Sequence, residues 1–235
     1  AQAAFDLLEP SCRFEAKRRD GDRLESGDIV FQVAGSMRAL LAAERTALNF
    51  LQRLSGVATM ARTLVDAVAG TRARILDTRK TTPGLRSLEK QAVLAGGGHN
   101  HRIGLYDQVL LKENHFASAR PTPYEAVVRR CVEGQGAPVV AEAQTIEEAL
   151  AAVRGGAAVV LLDNFRPGPE LAAAVARVRE QAQALGVRVE VEASGGVRRD
   201  NVRAFAESGV DRISVGALTH SAPALDLSML VEDER

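Results

Sequence analysis

The chain has 235 residues, 30 basic against 30 acidic, and 46% of its residues are hydrophobic. That length suits one large domain or a large and a small one, and zero net charge gives no global pull toward nucleic acid or a membrane surface. No apolar run approaches the ~20 residues of a membrane span, no signal peptide is visible, and two distant cysteines, Cys12 and Cys131, make a disulfide framework unexpected and a cytoplasmic setting the default.

Residues 12–34 read as strands and turns. Arg13–Lys17 alternates, Gly21 and Gly27 sit in turn clusters, and Ile29–Val33 reads as a further strand. A sandwich of this kind can carry biotin or lipoate on a lysine at a hairpin tip. Neither turn holds a lysine, so this layer reads as scaffold. From Ser36 the period becomes helical, with Met37, Leu40, Leu41, Ala47, Leu48, Leu51 and Leu54 on one broad face. Ser36 is the expected N-cap, and Gly56 the expected break before a second helix over 57–69. On pattern alone Glu44 and Arg45 read as solvated helix residues.

Beyond Gly70 short apolar strands are each followed by a polar tip and a helical stretch. The strands read as Ile75–Leu76, Gln108–Leu111, Pro138–Glu142, Ala158–Asp163, Val187–Ser194 and Asp211–Gly216. Helical patterns follow after Pro83–Gly84, carrying Leu85, Leu88, Ala92 and Leu94, and over 145–154, 169–185 and 199–208. Strand ends about every 20–35 residues match the βα unit. Because the charged and glycine-rich residues gather at the C-terminal strand tips, an α/β fold with an open (β/α) barrel of parallel strands is expected rather than a flat sheet.

The tips carry three chemistries. Glu142 and Asp163 are acidic, and two carboxylates on neighbouring strand ends suit Mg²⁺, which commonly also contacts substrate phosphates; a helix N-cap or an ion pair would use the same residues. Ser194-Gly195-Gly196 and Val215-Gly216-Ala217 are glycine-rich, as are the phosphate loops after the last two strands of many barrels, where bare backbone N–H groups and a helix N-terminus donate; tight turns alone would also account for them. Arg79, Lys80, Arg102 and Lys112 are basic, with His101 alongside. Gathered in one concavity, such cations call for an anion, each charged hydrogen bond contributing roughly 1.5–3 kcal/mol. The competing arrangement pairs them internally with Asp77, Glu89 and Glu113. Residue chemistry alone thus reaches a phosphate-bearing substrate, Mg²⁺ and a second anionic substrate.

Six segments, in order, resemble the signatures of the quinolinate phosphoribosyltransferases: Glu44–Gly56, Asp77–Gly84, Gly97–Arg102, Leu161–Asn164, Glu192–Gly196 and Ile213–Ser221. The resemblance spans about residues 12–230. It implies an N-terminal α/β sandwich plus an open α/β barrel, a homodimer as the minimal unit, and Mg²⁺. The implied reaction joins quinolinate to phosphoribosyl pyrophosphate, giving nicotinate mononucleotide, pyrophosphate and CO₂ in NAD biosynthesis. Mapped onto matching positions, it implies that Arg79, Arg102, Lys112 and His101, with Thr78 nearby, hold the quinolinate carboxylates, and that Arg45 reaches the site of the neighbouring subunit. Lys80, Glu142 and Asp163 would serve the ribosyl pyrophosphate and its metal, and Ser194, Gly195, Gly196, Val215, Gly216, Ala217 and His220 its 5-phosphate. Residues 1–72 are then expected as a shortened sandwich with dimer-forming helices, 73–220 as the catalytic barrel, and 221–235 as a tail returning toward the sandwich. The family pattern has some tens of residues before the point matched by Phe14, against about a dozen here. The other readings are a paralogue taking another pyridine, a phosphosugar isomerase or lyase on the same barrel, and a scaffold without activity.

Overall fold

In a computed structural model, which describes residues 1–134 and 136–232, the chain opens with helix α1 (Gln2–Asp6) and two antiparallel strands, β1 (Arg13–Ala16) and β2 (Phe31–Ala34). Phe14 stacks on Phe31 with ring centroids 4.8 Å apart, and both meet Phe5. This aromatic cluster packs on Ala43 and Ala47 of the next helix, forming a small core separate from the main one. Cys12 and Cys131 are both free thiols.

That next helix, α2 (Met37–Ala67), is continuous over 31 residues, with Ser36 as its N-cap accepting from the Ala39 N–H at 3.3 Å. The expected break at Gly56 does not occur. Glycine is needed there for close approach: a Cβ would run into the Pro223 carbonyl oxygen, because the chain after residue 221 crosses α2 at this turn. Leu225 N–H donates to Gln52 O (3.0 Å) and Gln52 Nε2 to Leu227 O (2.6 Å). Residues 233–235 of the expected tail lie outside the described residues.

Six parallel strands follow: β3 (Arg74–Leu76), β4 (Val109–Leu111), β5 (Val139–Ala143), β6 (Val159–Asp163), β7 (Glu190–Ser194) and β8 (Arg212–Ser214). Their order is β3-β8-β7-β6-β5-β4, so the sheet curls round with chain order preserved and a gap between β3 and β4. This is the open barrel expected from the strand tips. The segment before β4 runs along one edge of that gap, where His99 forms a parallel bridge to Leu76. The helices are α3 (Arg86–Ala95), α4 (Glu113–Ser118), α5 (Tyr124–Gly134), α6 (Ile146–Arg154), α7 (Pro169–Ala184), α8 (Val202–Glu207) and α9 (Ala217–His220).

Period-two alternation divides each strand between two environments. Ala141, Ala143, Val160, Leu162, Val191, Ala193 and Ile213 pack outward against the helices in the main core. The other face is apolar at Leu110, Val140, Val159 and Leu161, and ionic at Glu192, Arg212 and Ser214. Helix α3 departs from expectation. Leu94 is half exposed, whereas Glu89 and Lys90 are buried. Lys90 Nζ reaches Asp77 Oδ1 (2.5 Å) and the His101 carbonyl (2.8 Å), and Glu89 accepts from Arg53 (2.8 Å) and Thr82 Oγ1 (2.8 Å). Breaking one partner of such a buried pair costs about 3–5 kcal/mol, so these ionic contacts hold the β3–α3 segment to α2.

Candidate active site

A cleft of about 720 Å³ opens at the C-terminal ends of the strands. It collects Thr78 and Lys80 beyond β3, Lys112 at the N-cap of α4, Glu142 on β5, Asp163 ending β6, Ser194-Gly195-Gly196 at the end of β7, and Val215-Gly216-Ala217 with His220 after β8. Sequence-distant tips converge because parallel strands present all their C-terminal ends to one side.

The acidic and basic tips neutralise one another in part. Lys112 Nζ lies 2.9 Å from Glu142 Oε2, and that carboxylate is only 7% exposed. Asp163 Oδ2 accepts from the Asn164 amide at 2.7 Å. Burial, then the neighbouring Glu142 charge, pushes the Asp163 carboxyl above its ordinary range, while Lys112 and Lys80 oppose the shift. Two carboxylates crowded this way fit a divalent cation. Among the described residues no third His, Cys, Asp or Glu completes a protein-only metal cage, so a cation here would draw its remaining ligands from substrate and water.

The glycine-rich side is shaped by backbone. Gly195 and Gly196 have φ of +95° and +63°, and a Cβ on Gly195 would strike Asn164 Oδ1. Asn164 is itself left-handed at φ 60° and donates its N–H to Ser194 O (2.9 Å). No helix N-terminus directly follows this loop, since α8 begins only at Val202. After β8 the turn runs directly into α9, but the Val215 N–H is already taken by Leu76 O (2.9 Å). A Cβ on Gly216 would sit 3.1 Å from both His220 Nε2 and Lys80 Cδ, so glycine lets these two side chains close over the turn. Thr219 Oγ1 donates to Lys80 O (2.8 Å), and Lys80 N–H to Thr78 Oγ1 (3.0 Å), fixing the lysine loop.

Four expected residues lie outside the cleft lining. Arg79 and Arg102 are neighbours beside it. Arg102 donates to Gln108 O (3.0 Å), and burial followed by the Arg79 charge lowers its guanidinium from the usual value. Arg79 Nε and Gln108 Oε1 are buried without hydrogen-bond partners. The competing internal pairing with these three carboxylates does not form: Asp77 takes Lys90, Glu89 takes Arg53, and Glu113 accepts from Gln144. Two adjacent guanidiniums with an orphaned donor make an anion-hungry subsite.

His101 is buried, and its ring is occupied. Nδ1 accepts from the Arg102 N–H (2.8 Å), which leaves the proton on Nε2, 3.4 Å from Glu192 Oε1. Burial alone would raise the Glu192 carboxyl, but His101, Arg212 and Ser214 outweigh it and hold it below the ordinary range. In this structure the His101 ring is thus held between the Arg102 backbone N–H and Glu192 and does not line the cleft. Arg45 is exposed on α2, away from its own chain's cleft. The sequence reading did not single out Asn114, Gln144 or Arg198, which also line the cleft. All three directly follow or flank charged or glycine-rich tips, the one local signal that marks them.

Comparison with known proteins decides the family. The sequence model of the quinolinate phosphoribosyl transferase C-terminal domain matches residues 57–230, and that of the N-terminal domain matches residues 1–55. The chain belongs to the quinolinate phosphoribosyl transferase family. The boundary between the two matches falls at Gly56, inside α2. Among relatives, a probable nicotinate-nucleotide pyrophosphorylase [carboxylating] of Bacillus subtilis is 41% identical over 96% of this chain and 75% of its own length. The nicotinate-nucleotide pyrophosphorylase [carboxylating] of Mycobacterium leprae is 42% identical over 89% of this chain and 72% of its own. The solved nicotinate-nucleotide pyrophosphorylase from Francisella tularensis superposes with a TM-score of 0.89 at 37% identity, covering 97% of this chain and 78% of that one. The family's open barrel and small N-terminal layer are thus those described above.

Proposed function

We infer that this member of the quinolinate phosphoribosyl transferase family moves the phosphoribosyl group of phosphoribosyl pyrophosphate onto the nitrogen of quinolinate, with decarboxylation, giving nicotinate mononucleotide, pyrophosphate and CO₂ for NAD biosynthesis. Its relatives carry the corresponding names. The observation that carries the reading is the adjacency of two guanidiniums, Arg79 with a buried unpartnered Nε and Arg102, to a cleft that joins a carboxylate pair to glycine-rich loops.

In this reading Arg79 and Arg102 grip the two carboxylates of quinolinate, with Lys112 and Thr78 at the edge toward the sugar. The amides of the Ser194–Gly196 loop, the Gly216–Ala217 turn and His220 receive the 5-phosphate. Lys80 lies against Gly216, where its charge favours departure of the pyrophosphate. Glu142 and Asp163 would hold Mg²⁺, which when bound neutralises charge on the pyrophosphate. As the bond from ribose C1 to pyrophosphate breaks, the pyridine nitrogen forms the new bond to C1. The quaternised ring then accepts the electron pair of the 2-carboxylate carbon bond, CO₂ departs, and C2 takes up a proton. The protein contributes positioning and a charge-complementary cleft. No covalent nucleophile is needed, and neither cysteine lines the cleft.

The reading includes a homodimer in which Arg45 enters the partner's site. Its support is the exposure of Arg45 on α2 together with Met37, Leu41 and Phe50 on the same helix. Among the described residues no helix is long and apolar enough to cross a membrane, and a cytoplasmic location is proposed. The test is a product assay with quinolinate or nicotinate, phosphoribosyl pyrophosphate and Mg²⁺, with a chelator arm. Nicotinate mononucleotide and CO₂ from quinolinate alone, lost on chelation, is the expected result. Product from nicotinate, or none from either, would overturn it.

A further inference from the structure

Asn164 is the one described non-glycine residue with positive φ, at 60°. Left-handed backbone of this kind is uncommon outside glycine, although asparagine tolerates it better than most residues. The conformation places one short side chain between two parts of the cleft that come from different strands. Its Nδ2 donates to Asp163 Oδ2 at 2.7 Å, and its Oδ1 stands against Gly195, where a Cβ would collide with it. Its backbone N–H closes onto Ser194 O at 2.9 Å, and Asp163 and Ser194 are direct partners in the β6–β7 register. The amide thus occupies one carboxylate oxygen of Asp163, a residue that lines the cleft, while backing the loop that carries Gly195 and Gly196.

We propose that Asn164 is a positioning residue that locks the Asp163 carboxylate to the Ser194–Gly196 loop, so that both ends of phosphoribosyl pyrophosphate are read by one rigid unit. The proposal rests on the functional reading above. Glycine would serve the backbone at φ 60° better than asparagine does, so a purely conformational role predicts that Asn164→Gly is harmless and Asn164→Ala harmful. A positioning role predicts that Asn164→Gly is harmful as well, because glycine keeps the backbone conformation and removes only the amide.

The experiment compares the unmodified chain with Asn164→Gly and Asn164→Ala by steady-state kinetics in each substrate, by thermal unfolding, and by calorimetric titration of ribose 5-phosphate without metal. In Asn164→Gly the KM for phosphoribosyl pyrophosphate should rise about tenfold, the size of one lost charge-assisted hydrogen bond. The KM for quinolinate should stay within about twofold and Tm should be unchanged, since the amide touches no part of the Arg79–Arg102 subsite. Ribose 5-phosphate should also bind more weakly, through the unbacked loop, with no metal present. Unmodified kinetics in Asn164→Gly, or equal rises for both substrates, would overturn the proposal while leaving the functional reading intact. Absence of nicotinate mononucleotide from the unmodified chain would overturn the functional reading and the proposal together.

Discussion

Lys112 Nζ and Glu142 Oε2 stand 2.9 Å apart across the mouth of the cleft, one from the end of β4 and one from β5. The lysine side chain is half exposed and the carboxylate nearly buried. Asp163 responds to both: Glu142 raises its carboxyl and Lys112 lowers it. Removing the lysine in Lys112→Met should therefore raise the Asp163 carboxyl further, so that its anion forms only at higher pH. The acid limb of the kcat/KM profile should move upward in pH. A limb that stays in place would exclude Asp163 as the group that sets it.

Arg102→Ala removes one of the two guanidiniums beside the cleft. Loss of a charged hydrogen bond of roughly 1.5–3 kcal/mol corresponds to about a tenfold to hundredfold weaker grip on quinolinate. The KM for phosphoribosyl pyrophosphate should change by less than about twofold. Direct titration with each ligand measures both, and equal losses would reject the division of the site into two subsites.

Arg45 supplies a test of subunit sharing. If it serves the partner's site, Arg45→Ala and Asp163→Asn homodimers should each be inactive, yet mixing them should restore activity. Random reassortment of equal amounts gives mixed dimers with one site intact, or about a quarter of the unmodified activity for a symmetric dimer. No recovery after exchange, confirmed by mass analysis of the mixed species, would place Arg45 on an ordinary helix surface.

Gly56→Ala sets two effects of opposite sign against each other. Alanine is the better helix residue by about 1 kcal/mol. Its Cβ, however, would meet the Pro223 carbonyl backbone, and overpacking of this kind costs about 1–3 kcal/mol. Net destabilisation is expected, with Tm lower by several degrees at roughly 2–4 °C per kcal/mol for a chain of this size. A rise in Tm on calorimetry would show that the crossing chain yields easily.

Much of the site was legible because its residues stand where period-two strands end. Lys112, Glu142, Asp163 and the two glycine loops could be placed at strand tips from alternation and turn chemistry alone, and the open barrel followed from them. Gly56 was not legible, since a glycine that breaks a helix and one that admits a crossing chain look alike until residue 223 is placed in space. The partners of Glu89 and Lys90 were hidden for a related reason. Arg53 and Asp77 lie 36 and 13 residues away in sequence and meet them only in the folded chain. His101 was recognised as important, but whether its ring faces a ligand or Glu192 depends on a contact across 91 residues that no local pattern records.

The crossing at Gly56 also imposes an order in time. Gln52 and Arg53 on one side, and Ala222 and Leu227 on the other, are joined by hydrogen bonds spanning 169 and 175 residues. Translation at about 5–20 residues per second leaves α2 waiting on the order of ten seconds or more before its far partner exists. Arg53 also binds the carbonyl of Thr219, whose hydroxyl holds the Lys80 loop. A ribosome-bound chain that has not yet reached Ala222 therefore lacks the clasp that holds the Lys80 loop, and that side of the cleft reaches its final geometry only once the late segment has been made.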